Sequence, residues 1–305
     1  MAVSLRQFRY FIAAAEGGSV TRAAFDLGVS QSALTAAIKS LESEVGAKLF
    51  TRHGKGVKLT FEGTQFLQHA RNVMAAVLDA TQAARQAPTD VEGRFSLAVT
   101  YTVAGYFLAA VLARFRRLFP GVSIDLHEMH RIEIEERLID GSIDIGVILI
   151  SNLARDAQID TDLLIQSRRR LWLPSNHPLL HAKTVLLRHV APEPYIMLLI
   201  DEADETAMRY WHRARLQPTI VFRTSSVEAV RSMVANGQGV AILSDMVYRP
   251  WSLEGGRIEA RSLNEPVPSM DVGLAWKRAA EINCAAQAFR EFCHAMYNSA
   301  GAGLD

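Results

Sequence analysis

Cysteine is nearly absent: 305 residues contain two, Cys284 and Cys293. Nine apart on a predicted helix, they fall on opposite faces ~13 Å apart, too far for a disulfide. No C-x-x-C or Cys/His spacing for zinc is present. No apolar run approaches the ~18–20 residues that span a bilayer; Ile143 to Ile150 is too short and is interrupted. The opening Met1-Ala2-Val3-Ser4-Leu5-Arg6 lacks the apolar stretch and cleavage site of a secretory signal. A cytoplasmic protein that does not meet the membrane is expected. The common catalytic signatures are missing too: no G-x-S-x-G, no Walker loop, no G-x-G-x-x-G after a strand. Gly237-Gln238-Gly239 follows a predicted helix and precedes a strand, the reverse of a dinucleotide loop. The histidines are dispersed, and His127 and His130 around Glu128 lack a clear third ligand. No catalytic residue, no metal and no cofactor is therefore expected, and no enzyme.

What is present is ordinary globular composition, 49% hydrophobic and 21% charged. The length allows two or three domains. Charge is uneven. Residues 1–60 carry eight Lys/Arg against four acids, +4, whereas the whole chain is +1, leaving −3 for residues 61–305. A small basic head on a near-neutral body implies that only the head meets a polyanion.

Helical spacing of Leu5, Phe8, Phe11, Ile12 and Ala15 predicts a helix over 4–17, closed by Gly17-Gly18. Ser19 is a candidate N-cap for a second helix over 20–27, with Ala23, Ala24 and Leu27 inward. After Gly28-Val29-Ser30 a third helix runs to Val45, with Ala33, Leu34, Ala37, Ile38 and Leu41 on its buried side. Short helices joined by a glycine-containing three-residue turn are a helix-turn-helix signature. Residues 49–60, with central glycines and basic residues alternating with apolar ones, suit a two-stranded wing.

A long helix is expected over 61–86. Leu67, Ala70, Met74, Val77, Thr81 and Ala84 are spaced as a heptad seam, the pattern of a dimerising helix pair. Pro88 ends it, and residues 89–93 form a polar hinge. From Arg94 strands and helices alternate: strands at 95–99, 122–126 and 143–148 with helices at 104–119 and 132–140. A second run places strands at 195–200, 220–223 and 240–243 around helices at 204–215 and 227–236. A last strand, 272–276, precedes a helix over 282–297. Two βαβαβ runs imply two parallel-sheet lobes with a cleft between them.

The domains expected are thus a winged helix-turn-helix at 1–60, a linker helix at 61–88, a hinge at 89–93 and a two-lobed α/β domain at 94–305. Lobe I takes about 94–165 and 269–305, and lobe II about 166–268. In a helix-turn-helix the N-terminal side chains of the second helix reach base edges. Here these are Gln31, Ser32 and Thr35, and Gln pairs bidentately with adenine. Arg22, Lys39, Arg52, His53 and Lys55 are candidate phosphate contacts on double-stranded DNA. In the body, Thr100-Tyr101-Thr102 and Thr224-Ser225 lie where strands meet helix N-termini, which favour anions. They are candidates for a small organic acid. Asp201 ends another strand. It either caps the following helix with Asp204 or attracts an amino group on the ligand.

The chain resembles the LysR-type transcriptional regulators. The resemblance is carried by Leu5 to Phe11, Gly18 to Ala24, Val29 to Thr35, Ile38, Leu41-Glu42, Gly46, Leu49 to Arg52, Leu59-Thr60 and Glu62-Gly63. In the body Phe115, Phe119-Pro120 and Val234 to Ile242 continue it. It implies a winged helix, a linker helix and a two-lobed effector domain resembling periplasmic binding proteins, in homodimers or homotetramers that answer a small metabolite. Ser32 stands where the family commonly has Pro. Ala36 and Ala37 stand where it often has polar or basic residues, which shifts specificity toward Gln31, Ser32, Thr35 and the wing. The rival is a solute-binding protein of a transport system, which would need a secretory signal and no basic head.

Overall fold

The computed structural model describes residues 3–53, 56–60, 62–63, 66–67, 69–70, 73–74, 77, 91–153, 158–279 and 283–298. The chain divides into two compact units, Met1–Pro88 and Thr89–Asp305.

In the first unit α1 spans Leu5–Gly17, α2 Val20–Asp26 and α3 Gln31–Val45. Each starts where a serine supplies the missing acceptor: Ser4 Oγ takes the Gln7 N–H, Ser19 Oγ that of Arg22 and Ser30 Oγ that of Ala33. Gly28, at φ 64, makes the left-handed turn between α2 and α3 that other residues adopt at a cost. Ala14, Ala23, Ala24, Leu34 and Ile38 form one core; Phe11, Leu41, Leu49 and Ala70 form another. Of the residues expected inward on α3, Leu34, Ile38 and Leu41 are buried, Ala37 is half-buried and Ala33 is exposed. Strands β1, Phe50–His53, and β2, Gly56–Leu59, pair antiparallel as a wing.

The linker helix opens after Thr60, whose hydroxyl donates to Lys48 O and accepts the Gly63 N–H. A Cβ at Gly63 would stand 2.0 Å from the Leu49 carbonyl oxygen, so glycine alone permits this approach. Leu67 and Ala70, expected in the dimer seam, pack instead in the head's own core. Met74 and Val77 are half-buried. The remaining seam positions, Thr81 and Ala84, and residues 89–90 of the hinge lie outside the described residues.

In the second unit β3, Gly93–Val99, leads into α4, which runs as Tyr101–Val103, a π-helical turn Ala104–Leu108, and Ala109–Leu118. Then come β4 (Val122–Glu128), α5 (Arg131–Asp140), β5 (Ile145–Leu149) and β6 (Ile159–Ser167). The chain crosses to the second lobe with β7 (Arg169–Pro174), β8 (Pro194–Leu198), α6 (Ala203–Arg213) and β9 (Thr219–Thr224). It continues through α7 (Val227–Ala235), β10 (Ala241–Ser244) and β11 (Ile258–Arg261). It returns with β12 (Met270–Lys277) and α8 (Cys284–Asn298).

Lobe I is a five-stranded sheet of order β4-β3-β5-β12-β6, parallel through β4-β3-β5 and antiparallel beyond. In lobe II β9-β8 and β10-β7-β11 are joined through a parallel bridge between Tyr195 and Val240. The two lobes thus repeat one strand order. β5 is buried along its whole length, as its unbroken apolar sequence requires when helices cover both faces of a parallel sheet. Phe95, Phe115 and Phe289 fill one side of sheet I, and Ile134 and Leu138 of α5 cover the other. In lobe II Tyr210 and Trp211 of α6 and Val227, Val230 and Val234 of α7 do the same. Strands β6, β7 and β11 were not anticipated from the sequence.

Candidate functional site

On the head, the N-terminal turn of α3 presents Gln31 and Ser32 exposed and Thr35 half-buried. The Ser32 hydroxyl lies 3.1 Å from that of the N-cap Ser30, so it is oriented by the turn. Gln31, Thr35 and Lys39 follow at four-residue intervals and share one face; Lys39 is exposed. Arg22 has a 72% exposed side chain, with Asp26 3.9 Å away. Its guanidinium is open to an anion, since so loose and exposed a pair contributes little. Arg52 and His53 lie on β1. Their side chains, and Lys55 altogether, lie outside the described residues.

The wing's placement depends on Glu42, which belongs to the residues that carry the LysR resemblance but to which the sequence assigns no role. Glu42, on the buried side of α3, accepts the N–H groups of Leu49 at 2.8 Å and Phe50 at 3.1 Å, and the Lys48 ammonium at 3.0 Å. Burial works to raise its pKa, but the Lys48 ammonium and the two amides outweigh it and hold the carboxyl below its ordinary value. A buried acid one residue after Leu41 has no signal in hydrophobic spacing.

In the second unit a cleft of about 600 Å³ opens at the carboxyl ends of β3, β4 and β8. It is lined by Tyr101 of α4, by Leu126, Glu128 and His130 around the end of β4, and by Ile200 and Asp201 from lobe II. Glu133 and Arg137 also face it and pair with each other at 2.7 Å. Of the six expected residues, Tyr101 and Asp201 line this cleft.

Thr100, Thr102, Thr224 and Ser225 do not line it. Thr100 is the N-cap of α4, only 1% exposed, yet its hydroxyl caps nothing and has no hydrogen-bond partner among the described residues. The N–H of Thr102 donates instead to Asp201 Oδ2 at 2.7 Å. The expectation that Asp201 caps its own helix is corrected: the N-cap of α6 is Glu202, and no side chain caps it. Thr224 Oγ1 accepts the N–H of Ser226, the true N-cap of α7, and Ser225 is exposed.

Two residues not anticipated hold segment 200–202 from lobe I, and a third ties α4 to α7. Asn152 Nδ2 donates to Asp201 O at 2.9 Å and to Glu202 Oε2 at 3.2 Å, and Arg131 Nε reaches Glu202 Oε1 at 3.3 Å. Tyr106, in the π turn of α4, donates its hydroxyl to Glu228 of α7 at 3.3 Å. These are contacts between elements remote in sequence, and only the folded chain shows them.

The comparisons with known proteins agree with both halves. Residues 5–64 match the bacterial regulatory helix-turn-helix protein, lysR family, and residues 88–298 match the LysR substrate binding domain. The uncharacterised HTH-type transcriptional regulator YnfL of Escherichia coli (strain K12) is 30% identical over 300 residues, covering 95% of this chain and 97% of that protein. The RuBisCO operon transcriptional regulator of Allochromatium vinosum is 28% identical over 294 residues, 96% of each chain. The crystal structure of HinK, a LysR family regulator from Pseudomonas aeruginosa, superposes with a TM-score of 0.63 at 28% identity, covering 97% of this chain and 99% of that one. A winged-helix head followed by a two-lobed α/β domain, matched along nearly its full length, makes this chain a member of the LysR family of bacterial transcriptional regulators.

Proposed function

We propose that Gln31, Ser32 and Thr35 read base edges, and that Arg22, Lys39, Arg52, His53 and Lys55 contact phosphates of a double-stranded operator. The observation that carries this is the outward stripe on α3: a serine-capped N-terminus presenting polar side chains, with Lys39 two turns on. The chain is divided as a DNA-binding head at 1–60, a linker helix at 61–88, a hinge at 89–93 and an effector domain at 94–305. Pairing through the linker helix makes the working unit a homodimer or homotetramer.

The effector occupies the cleft at the carboxyl ends of β3, β4 and β8, the position at which open α/β sheets take ligands. It is a small organic acid or an amino-acid-like molecule. Support comes from the lining. Tyr101, Leu126 and Ile200 offer apolar surface, while Glu128 and Asp201 favour an amino group. The test is a thermal-shift screen of amino acids and small carboxylates on the full chain and on Leu126→Trp, which fills the cleft. A ligand present at about 100 times its Kd stabilises the fold by about 2.7 kcal/mol. A metabolite should raise the midpoint of the wild type and not of Leu126→Trp. An equal rise in both would place the effector elsewhere.

A further inference from the structure

The N-terminal amide that an incoming carboxylate would use is already taken. Asp201 Oδ2 lies 2.7 Å from Thr102 N, and the two residues stand on different lobes. Two features mark this as a built contact. The first is Thr100. An N-cap threonine ordinarily accepts the N–H two or three residues on. This one is 1% exposed and its hydroxyl is unpartnered among the described residues, while the Thr102 N–H is taken by Asp201 from across the cleft. The second is the backbone of the strap that delivers the carboxylate. Asp201 and Glu202 sit at φ 51 and 53, a left-handed conformation that neither residue adopts without strain. The strap is held there by lobe I. Asn152 grips the Asp201 carbonyl and the Glu202 carboxylate, and Arg131 grips Glu202 from the other side.

Building on the reading that the effector enters this cleft, we propose that Asp201 is a resident carboxylate. It occupies the effector's anion position at the α4 N-terminus, and a carboxylate effector acts by displacing it and loosening the hold of lobe I on the strap 200–202. This makes Asp201 a specificity residue. A simple acid must compete with a tethered carboxylate at high effective concentration. A ligand that also carries an amino group gains from the released Asp201 and from Glu128. Displacement also converts binding into a change between the lobes, since the strained segment loses one of its three ties.

The experiment uses acetate, the smallest carboxylate with a methyl group, on the full chain. Asp201→Gly removes the resident carboxylate and suits the left-handed backbone. Asp201→Asn keeps a filled position. Hydrogen exchange is followed by mass spectrometry over the first turns of α4. Saturating acetate, against chloride at equal ionic strength, should slow exchange there at least about fivefold in Asp201→Gly. It should change the wild type and Asp201→Asn less than about twofold. Should the Thr100 hydroxyl fall back onto the vacant amide, the double variant Thr100→Val, Asp201→Gly removes it, and acetate must then protect that variant. Equal protection of wild type and Asp201→Gly, or protection of neither glycine variant, overturns the inference. Such a failure leaves the cleft reading intact, because that reading stands or falls on the metabolite screen with Leu126→Trp.

Discussion

Glu42 shows how one side chain ties α3 to the wing. Its folded-state pKa is depressed, so its contribution to stability is present above the unfolded carboxyl value of about 4.3 and is lost as pH falls through the lower folded value. Bonds from the Leu49 and Phe50 amides to a charged acceptor are worth about 1.5–3 kcal/mol together with the desolvation that their loss leaves behind. Glu42→Gln keeps an acceptor for both amides but loses its charge and the Lys48 pair, so it should destabilise the head by less than that amount at neutral pH and flatten its acid unfolding limb, measured by hydrogen exchange across β1 and β2 as pH is lowered. An acid limb identical to wild type would remove Glu42 from this role. Two substitutions separate the proposed base reading from the proposed phosphate contacts. Gln31→Ala should cost about 1–3 kcal/mol of discrimination between operator and altered sites. Arg52→Ala should weaken binding to all sequences alike and lower the salt slope by about one. Titrations of both variants at several salt concentrations distinguish the two patterns, and wild-type behaviour in both would move the interface off α3 and the wing.

At the level of elements the linker helix divides its labour. Leu67 and Ala70 are spent on the head's core, so the proposed pairing seam runs from Met74 onward. Met74→Asp places a charge where a partner helix would bury it without compensation. The variant should sediment as a smaller species than wild type in analytical ultracentrifugation and lose affinity for a two-half-site operator. An unchanged mass would mean that the helix does not pair there. The first half of the seam misled because helical spacing reports that one face is apolar and not what covers it. Most elements were legible for the same reason that this one was half-legible: caps such as Ser19 and Ser30 and unbroken apolar strands such as β5 announce themselves locally. Strand β6, reading Ile-Asp-Thr-Asp-Leu-Leu-Ile-Gln-Ser, is an outer strand of lobe I with several polar side chains, and its signal is correspondingly faint. That Tyr101 and Asp201 line the cleft was legible because both lie just beyond strand ends. Asn152 and Arg131 were not, because their importance lies in contacts made 50 or more residues away.

For the whole sensing unit, the strand order has a consequence in time. Sheet I needs β12, which lies between β5 and β6 and is the last strand among the described residues. Its core also needs Phe289 and Phe292 of α8. Lobe II is built from β7 to β11, all of which precede β12. Domains fold as units while the chain emerges from the ribosome, so the lobe begun second is completed first. Lobe I waits with β5 and β6 unjoined and its phenylalanine core open. Nascent chains arrested with residues up to 268 outside the ribosome should resist protease across β7 to β11 and be cut within β3 to β5. Protection of both regions would show that sheet I closes without β12. A stop codon before Val272 should accordingly leave an intact head and lobe II beside an unfinished lobe I, a fragment that exposes unpaired strand edges to its neighbours and becomes work for the cell's chaperones and proteases.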